Sequence, residues 1–85
     1  MTVEVVLYTA PDCGLCGEAK RVLELAREPL GFTLQVVDIR GDPALEAAHR
    51  REIPLVTIAG RRAFRYRVDP AELRRRVLAA SQSPV

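Results

Sequence analysis

The sequence predicts an α/β fold with the element order βαβαββα, in which three helices flank a four-stranded mixed sheet. Two patterns lead to this prediction. Short runs rich in β-branched residues, such as residues 3–9 and 53–59, alternate with segments whose apolar residues recur at steps of three and four. The chain of 85 residues is long enough for one modest hydrophobic core, and we find no linker or internal repeat. We therefore predict a single domain over residues 1–85, with a frayed tail at residues 81–85.

The first half of the chain predicts a strand, a helix and a second strand. Residues 3–9 form an apolar run that ends at Ala-Pro-Asp. Over residues 13–28 the helical pattern is apolar on one side and charged on the other, and Pro29 and Gly31 end the helix. Residues 32–39 supply the second strand. Two strands joined by such a helix are expected to pair in parallel, with a right-handed crossover.

The second half predicts a helix, a hairpin and a last helix. Asp42 stands before a proline, a combination typical of a helix start, and the helix over residues 43–51 should bury Leu45 and Ala48.

The hairpin joins a strand over residues 53–59 to a strand over residues 62–66 through a turn at Gly60-Arg61. A second Asp-Pro pair begins at Asp69, with a Glu three residues later as in a capping box. It starts the last helix, which ends at about residue 80.

Composition excludes several classes of function. The formal net charge is only +2, although the chain carries twelve Arg and one Lys. The arginines are not interleaved with aromatic residues as in nucleic-acid-binding segments, so we expect a solvated rim and no nucleic-acid partner. No run approaches the roughly 18–20 apolar residues of a membrane span, and the N-terminal segment does not resemble a signal peptide. We therefore expect a cytoplasmic protein, in which closely spaced cysteines are catalytic or metal-binding.

Two cysteines, Cys13 and Cys16, flank Gly-Leu at the predicted junction of strand and helix. A dithiol catalyst needs one exposed sulfur that ionises readily and a second sulfur close enough to bond to it. Free N–H groups and the dipole at a helix start would stabilise a thiolate at Cys13. Cys16, one turn further on, would lie within bonding reach and be more buried. We predict Cys13 as the attacking thiol and Cys16 as the resolving thiol.

Two neighbouring features bear on proton transfer. Asp12 could cap the helix, but its charge would also disfavour a thiolate at Cys13, and the sequence does not decide between these effects. The first strand carries Val5 and Leu7 where an acid could have approached Cys16. We therefore expect water or a substrate thiol to take the proton from Cys16.

Metal binding and a passive role are the alternatives to redox chemistry. Structural zinc takes four ligands, whereas the chain offers two thiols and His49, so zinc or an iron–sulfur cluster would need a second chain. We expect His49, in an Arg-rich helix, to be a surface residue, and we predict no metal ligands. In the passive alternative, the arginines and the Ile53-Pro54 segment recognise a partner without catalysis.

The Ile53-Pro54 pair also has two interpretations. A proline is tolerated at the start of a strand because it has no N–H to donate to the sheet. Alternatively, a cis peptide bond here would turn the Ile53 backbone toward the cysteines, where it could pair with an extended substrate.

These segments together resemble the glutaredoxins, which have the thioredoxin-like fold. Residues 5–16 read Val-Val-Leu-Tyr-Thr-Ala-Pro-Asp-Cys-Gly-Leu-Cys, similar to that family's strand ending in Tyr, its Pro and its Cys-x-x-Cys. Residues 53–56 resemble its cis-proline strand, and Gly60-Arg61 its hairpin turn. The resemblance covers nearly the whole chain and is strongest to small bacterial glutaredoxin-like proteins. It implies four roles: Cys13 as nucleophile, Cys16 as resolving thiol, Pro54 as cis-proline and Tyr8 as a residue lining the site.

Three departures from the glutaredoxin pattern concern glutathione. Ala10 stands where those proteins usually carry a Lys, and the cysteines bracket Gly-Leu in place of Pro-Tyr. Tyr66-Arg67 replaces the Gly-Gly that lets backbone approach glutathione, although Asp69 matches an acidic position of that motif. Arg67 could replace contacts to the glutathione carboxylates. The departures weigh against glutathione as the physiological partner.

We therefore expect reversible dithiol–disulfide exchange with a protein or a low-molecular-weight thiol, as part of electron transfer in cell redox homeostasis. The redox-active group is the Cys13–Cys16 pair itself, and no cofactor is predicted. The predicted substrate-binding residues are Ile53, Pro54, Tyr8, Arg67 and Asp69. A reductase or glutathione would restore the dithiol. We expect a monomer that binds neither nucleic acid nor membranes.

Overall fold

The structure is a computed structural model that describes residues 2–82. Its elements follow the predicted order, with one added 3₁₀ turn. They are β1 (Glu4–Thr9), α1 (Cys16–Leu30), β2 (Thr33–Asp38), the 3₁₀ turn (Ile39–Gly41), α2 (Pro43–His49), β3 (Leu55–Ile58), β4 (Arg61–Arg65) and α3 (Pro70–Gln82). Within these residues, no helix is long and apolar enough to cross a membrane.

The four strands form one mixed sheet in the order β2-β1-β3-β4. β1 and β2 are parallel, and β3 is antiparallel to both β1 and β4, which confirms the predicted βαβ unit pairing and the hairpin. The register places Tyr8 opposite Leu55 and Leu55 opposite Arg65. The end of β1, the start of β3 and the end of β4 therefore meet at one end of the sheet.

The hydrophobic core lies between one face of the sheet and the helices α1 and α3. Side chains alternate along a strand, so every second residue of β1 points to this face. Strands β1 and β3 and helices α1 and α3 contribute most of the buried residues: Val5, Leu7, Ala19, Leu23, Val56, Ile58, Leu73 and Val77. Full burial of one such aliphatic side chain stabilises the fold by about 1.5–3 kcal/mol.

Helix α2 covers the opposite face of the sheet thinly, and none of its residues is fully buried. Leu45 is half-buried, but Ala48 is exposed, so the predicted burial of Ala48 is wrong. The next residue, His49, takes the inward position: its side chain is 17% exposed, and its ring centroid lies 4.9 Å from that of Tyr8. The prediction that His49 is a surface residue is therefore also wrong, because the helix turns a different side to the sheet.

The boundaries of all three helices differ from the prediction, and α2 ends at His49 and not at residue 51. α1 begins at Cys16 and not at residue 13, and no side chain caps it at Leu15. The prediction that Pro29 ends this helix is wrong, because α1 continues through Pro29 to Leu30. Gly31 caps it: its φ of 73° suits glycine, and its N–H donates to the Arg27 carbonyl at 2.8 Å. α3 continues to Gln82, past the predicted start of the frayed tail, and residues 83–85 of that tail lie outside the described residues.

The hairpin between β3 and β4 turns at Ala59-Gly60, one residue earlier than predicted. Both residues have positive φ, 52° and 81°, as in the two-residue type I′ turn that suits twisted strands. The pairing then shifts: Val56 faces Phe64, whereas Thr57 faces Arg62. This bulge lies on β4, the outer strand on that side of the sheet.

Candidate active site

The sulfurs of Cys13 and Cys16 form a disulfide just before and at the start of α1, with their Cα atoms 5.5 Å apart. Cys13 is half-buried, whereas Cys16 is only 4% exposed. A reagent from solvent therefore reaches the Cys13 sulfur more easily. Among residues 2–82 no polar or charged residue is fully buried.

The turn that carries Cys13 is fixed by backbone and by an ion pair. The Cys13 N–H donates to the Ala10 carbonyl at 3.1 Å. The sequence left open whether Asp12 caps α1, and in the structure it does not. Its carboxylate instead accepts a hydrogen bond from the Arg50 guanidinium at 3.1 Å. The first N–H groups of α1 are therefore without a side-chain cap, and the carboxylate beside Cys13 is partly neutralised.

The Ile53–Pro54 peptide bond is cis, as one of its two interpretations predicted, and Pro54 is buried. Two hydrogen bonds from Tyr66 connect the end of β4 to this segment. The Tyr66 N–H donates to the Pro54 carbonyl at 2.8 Å, and its hydroxyl donates to the Arg51 carbonyl at 2.7 Å.

The backbone of Tyr66 has φ 73°, in the left-handed region that favours glycine. Tyr66 thus occupies, with strain, a position in the stretch where the glutaredoxin pattern has Gly-Gly. Non-glycine residues rarely adopt this conformation, so its two hydrogen bonds must help to hold it.

A polar cluster lies just before Ile53, on the α2 side of the sheet. Glu52 accepts a hydrogen bond from Arg62 at 2.6 Å, and its other oxygen lies 3.5 Å from Nδ1 of His49. The Arg62 hydrogen bond, with a smaller contribution from His49, holds the pKa of Glu52 below its usual value, and burial opposes this. His49 Nδ1 and the facing Glu52 oxygen are buried and have no hydrogen-bond partner among the described residues.

A groove of about 290 Å³ lies on the other side of the sheet, between α1 and the segment that joins β4 to α3. Its lining residues are Leu15, Glu18, Ala19, Val22, Phe64, Tyr66, Arg67, Val68 and Asp69. Leu15 stands between the two cysteines, so the groove adjoins the disulfide. The Asp69 carboxylate also accepts a hydrogen bond from the Ala71 N–H at 3.1 Å, which satisfies the start of α3.

The predicted site residues thus fall into four places. Cys13 and Cys16 form the disulfide; Arg67 and Asp69 line the groove beside it. Ile53 and Pro54 are joined to the groove through Tyr66. Tyr8 is at the same end of the sheet but packs against His49 on the α2 side.

Sequence reasoning missed the apolar wall of the groove and the Glu52–His49 contact. The sequence did carry one signal for the groove, because Tyr66 and Arg67, which line it, stand where the glutaredoxin pattern has Gly-Gly. The described residues contain no cluster of three or more His, Cys, Asp or Glu side chains that could hold a metal ion.

Comparisons with known proteins agree with this arrangement. The sequence profile of the Glutaredoxin-like domain (DUF836) matches residues 4–78. The structure is similar to the X-ray structure of protein XcR50 from X. campestris, with 31% sequence identity and a TM-score of 0.72, over 88% of this chain and 96% of that chain. No curated protein matches the chain.

Two further solved structures support the fold alone, because their sequence identity is low. The solution structure of protein Ne2328 from Nitrosomonas europaea is 22% identical, with a TM-score of 0.72 over 98% of this chain and 94% of that chain. A mutant thioredoxin from Halobacterium salinarum is 20% identical, with a TM-score of 0.72 over 98% of this chain and 77% of that chain. With the profile match over most of its length, the chain belongs to the glutaredoxin-like domain family (DUF836) and has a thioredoxin-like fold.

Proposed function

We propose that the protein is a thiol–disulfide oxidoreductase that works by dithiol exchange through Cys13 and Cys16. The observation that carries this proposal is the disulfide between two cysteines of unequal exposure at the start of α1. Membership of a glutaredoxin-like family supports it. We further propose that the protein works in the cytoplasm, where a reducing thiol pool would return the disulfide to the dithiol.

The reaction needs two exchange steps. The Cys13 thiolate attacks one sulfur of a substrate disulfide; a bond forms between Cys13 and that sulfur, and the other substrate sulfur leaves as a thiolate that takes a proton from water. The Cys16 thiol then loses its proton to water or to the departing thiolate and attacks the Cys13 sulfur. The Cys13–Cys16 bond forms and the second substrate thiol is released. The substrate disulfide gains two electrons, which the protein dithiol loses.

The two cysteines have different tasks in this scheme, so their variants should behave differently. Cys13→Ser should abolish exchange, because Cys16 is buried and cannot reach a substrate. Cys16→Ser should retain the first step and accumulate the mixed disulfide on Cys13. Mass analysis after acid quench and alkylation measures both. Full dithiol turnover by Cys16→Ser would show that Cys16 does not resolve the intermediate.

A redox titration tests the proposal as a whole. The wild-type protein is equilibrated with defined ratios of reduced to oxidised glutathione, quenched with acid and analysed for the Cys13–Cys16 bond. A bond that forms reversibly within the range of about −270 to −120 mV found for this class of dithiols supports the proposed function. A protein that forms no bond at any ratio is not a dithiol oxidoreductase.

A further inference from the structure

The groove beside the disulfide has the shape of a binding site for part of a substrate. Leu15 connects it to the cysteines, Val22 forms part of its α1 wall, and Phe64 and Val68 form the opposite wall. Its volume of about 290 Å³ is at the lower end of the roughly 300–1,000 Å³ typical of small-molecule sites. Such a groove accepts one side chain of a polypeptide better than a whole extended ligand.

The charges at the groove indicate which polypeptides fit. Glu18 and Asp69 contribute two carboxylates, and Arg67 contributes the one guanidinium. Glu18 makes no ion pair within residues 2–82, so its charge is available to a ligand. Each glutathione moiety carries two carboxylates and one ammonium group, and the groove offers only one cation for them. A peptide with an apolar side chain next to a Lys or Arg would match both the apolar walls and the excess of carboxylates.

We propose that this groove selects protein disulfides in which an apolar residue and a basic residue flank the reacting cysteine, in preference to glutathione disulfide. The inference rests on the proposed function and names its substrate class. The apolar side chain lies between Val22 and Phe64 while the mixed disulfide with Cys13 is present, and the basic side chain lies toward Glu18.

Mixed disulfides that share one leaving thiol test this selection. Three substrates carry thiopyridine on a cysteine: a peptide with Leu and Lys beside the cysteine, a peptide of equal length with Ser and Glu, and glutathione. The release of thiopyridone by the reduced protein, with substrate in excess, gives the second-order rate constant of its single reaction with each. The Leu-Lys peptide should react about tenfold faster than the Ser-Glu peptide, since a hydrophobic pocket discriminates by this order, and faster than glutathione.

Variants of the groove should reduce this ratio of rates. Val22→Thr keeps the shape of the side chain but places a hydroxyl group in the apolar wall, and should lower the preference about fivefold. Val36→Thr, at an exposed valine on β2 outside the groove, is its control and should leave the preference unchanged. Glu18→Gln should lower the preference for the basic peptide about twofold, with Glu24→Gln on the exposed side of α1 as control. Because the rates of two substrates are compared within each variant, a change in the reactivity of Cys13 that affects both substrates equally leaves their ratio unchanged.

The outcomes separate the inference from the function beneath it. If no substrate reacts with Cys13 faster than with a free dithiol, the proposed function fails. If all three react faster but at equal rates, or glutathione reacts fastest, the groove does not select as proposed. The inference is also overturned if the preference is the same in Val22→Thr and Val36→Thr.

Discussion

The ion pair between Asp12 and Arg50 should make Cys13 ionise more easily. Replacing Arg50 by Met removes the guanidinium that lies 3.1 Å from the Asp12 carboxylate. The carboxylate is then an uncompensated negative charge on the residue next to Cys13. A thiolate at Cys13 would be repelled, so the variant should hold less thiolate at a given pH.

The magnitude follows from Coulomb's law. Side chains of adjacent residues are separated by about 6 Å, and both members of the ion pair are largely exposed, so a dielectric constant close to that of water applies. Two unit charges then repel by about 0.7 kcal/mol, and physiological salt reduces this by roughly half. Asp12 alone would therefore lower the thiolate population about threefold at low salt, since RT is about 0.6 kcal/mol. The Arg50 charge lies beyond the carboxylate and so farther from the sulfur, and its removal should lower the thiolate population by at most about twofold.

Alkylation kinetics measure this change. In a Cys16→Ser background, the rate of reaction with iodoacetamide over a range of pH reports the thiolate at Cys13. Arg51→Met removes the same charge from the next, exposed residue and is the control. Asp12→Asn should change the rate in the opposite direction. An effect of Arg50→Met that equals that of Arg51→Met, or that does not shrink with added salt, would refute the argument from a local ion pair.

Two further predictions concern stability. Leu73→Ala should lower the free energy of unfolding by about 2–5 kcal/mol, because Leu73 is fully buried between α3 and the sheet; Leu78→Ala on the same helix, 37% exposed, should cost much less. Denaturant unfolding measures both, and equal losses would contradict the placement of the core. The pKa of Glu52 is lower in the folded protein than its unfolded value near 4.5. The ion pair of Glu52 therefore stabilises the fold at pH values above 4.5, and this stability is lost as the pH falls through the lower pKa of the folded protein. Glu52→Gln should flatten the acid side of the curve of thermal stability against pH; an unchanged slope would mean that the bond to Arg62 does not stabilise the fold.

The fold could be predicted because each element carries its own local signal. Alternating or helical spacing of apolar residues marks the strands and helices, and Asp42 before a proline marks a helix start that its bond to Ala44 confirms. Local signals failed where a distant residue decided the outcome. Asp12 does not cap α1, because its carboxylate bonds to Arg50, which lies 38 residues away in the chain.

The candidate site was predicted in its chemistry but not in its shape. The Cys-x-x-Cys spacing specifies its own geometry, since two residues one turn apart can be bridged. The groove depends on α1 meeting the segment before α3, and nothing in residues 64–69 alone indicates that Phe64 and Val68 would face Leu15. His49 was misjudged for a related reason, because a helix of seven residues has too few apolar positions to fix which side it buries.

The bulged strand β4 has a consequence for the behaviour of the protein at high concentration. The outer strand of an open sheet offers free N–H and C=O groups to which a strand of another molecule can add, and this is a common route to aggregation. On β4 the bulge breaks the regular spacing of those groups, and Arg61 and Arg65 would bring like charges together in any such pairing. The third arginine of the strand, Arg62, is paired with Glu52. Two of the twelve arginines thus lie where they oppose growth of the sheet into fibres, while the disulfide end of the same sheet stays open to other molecules.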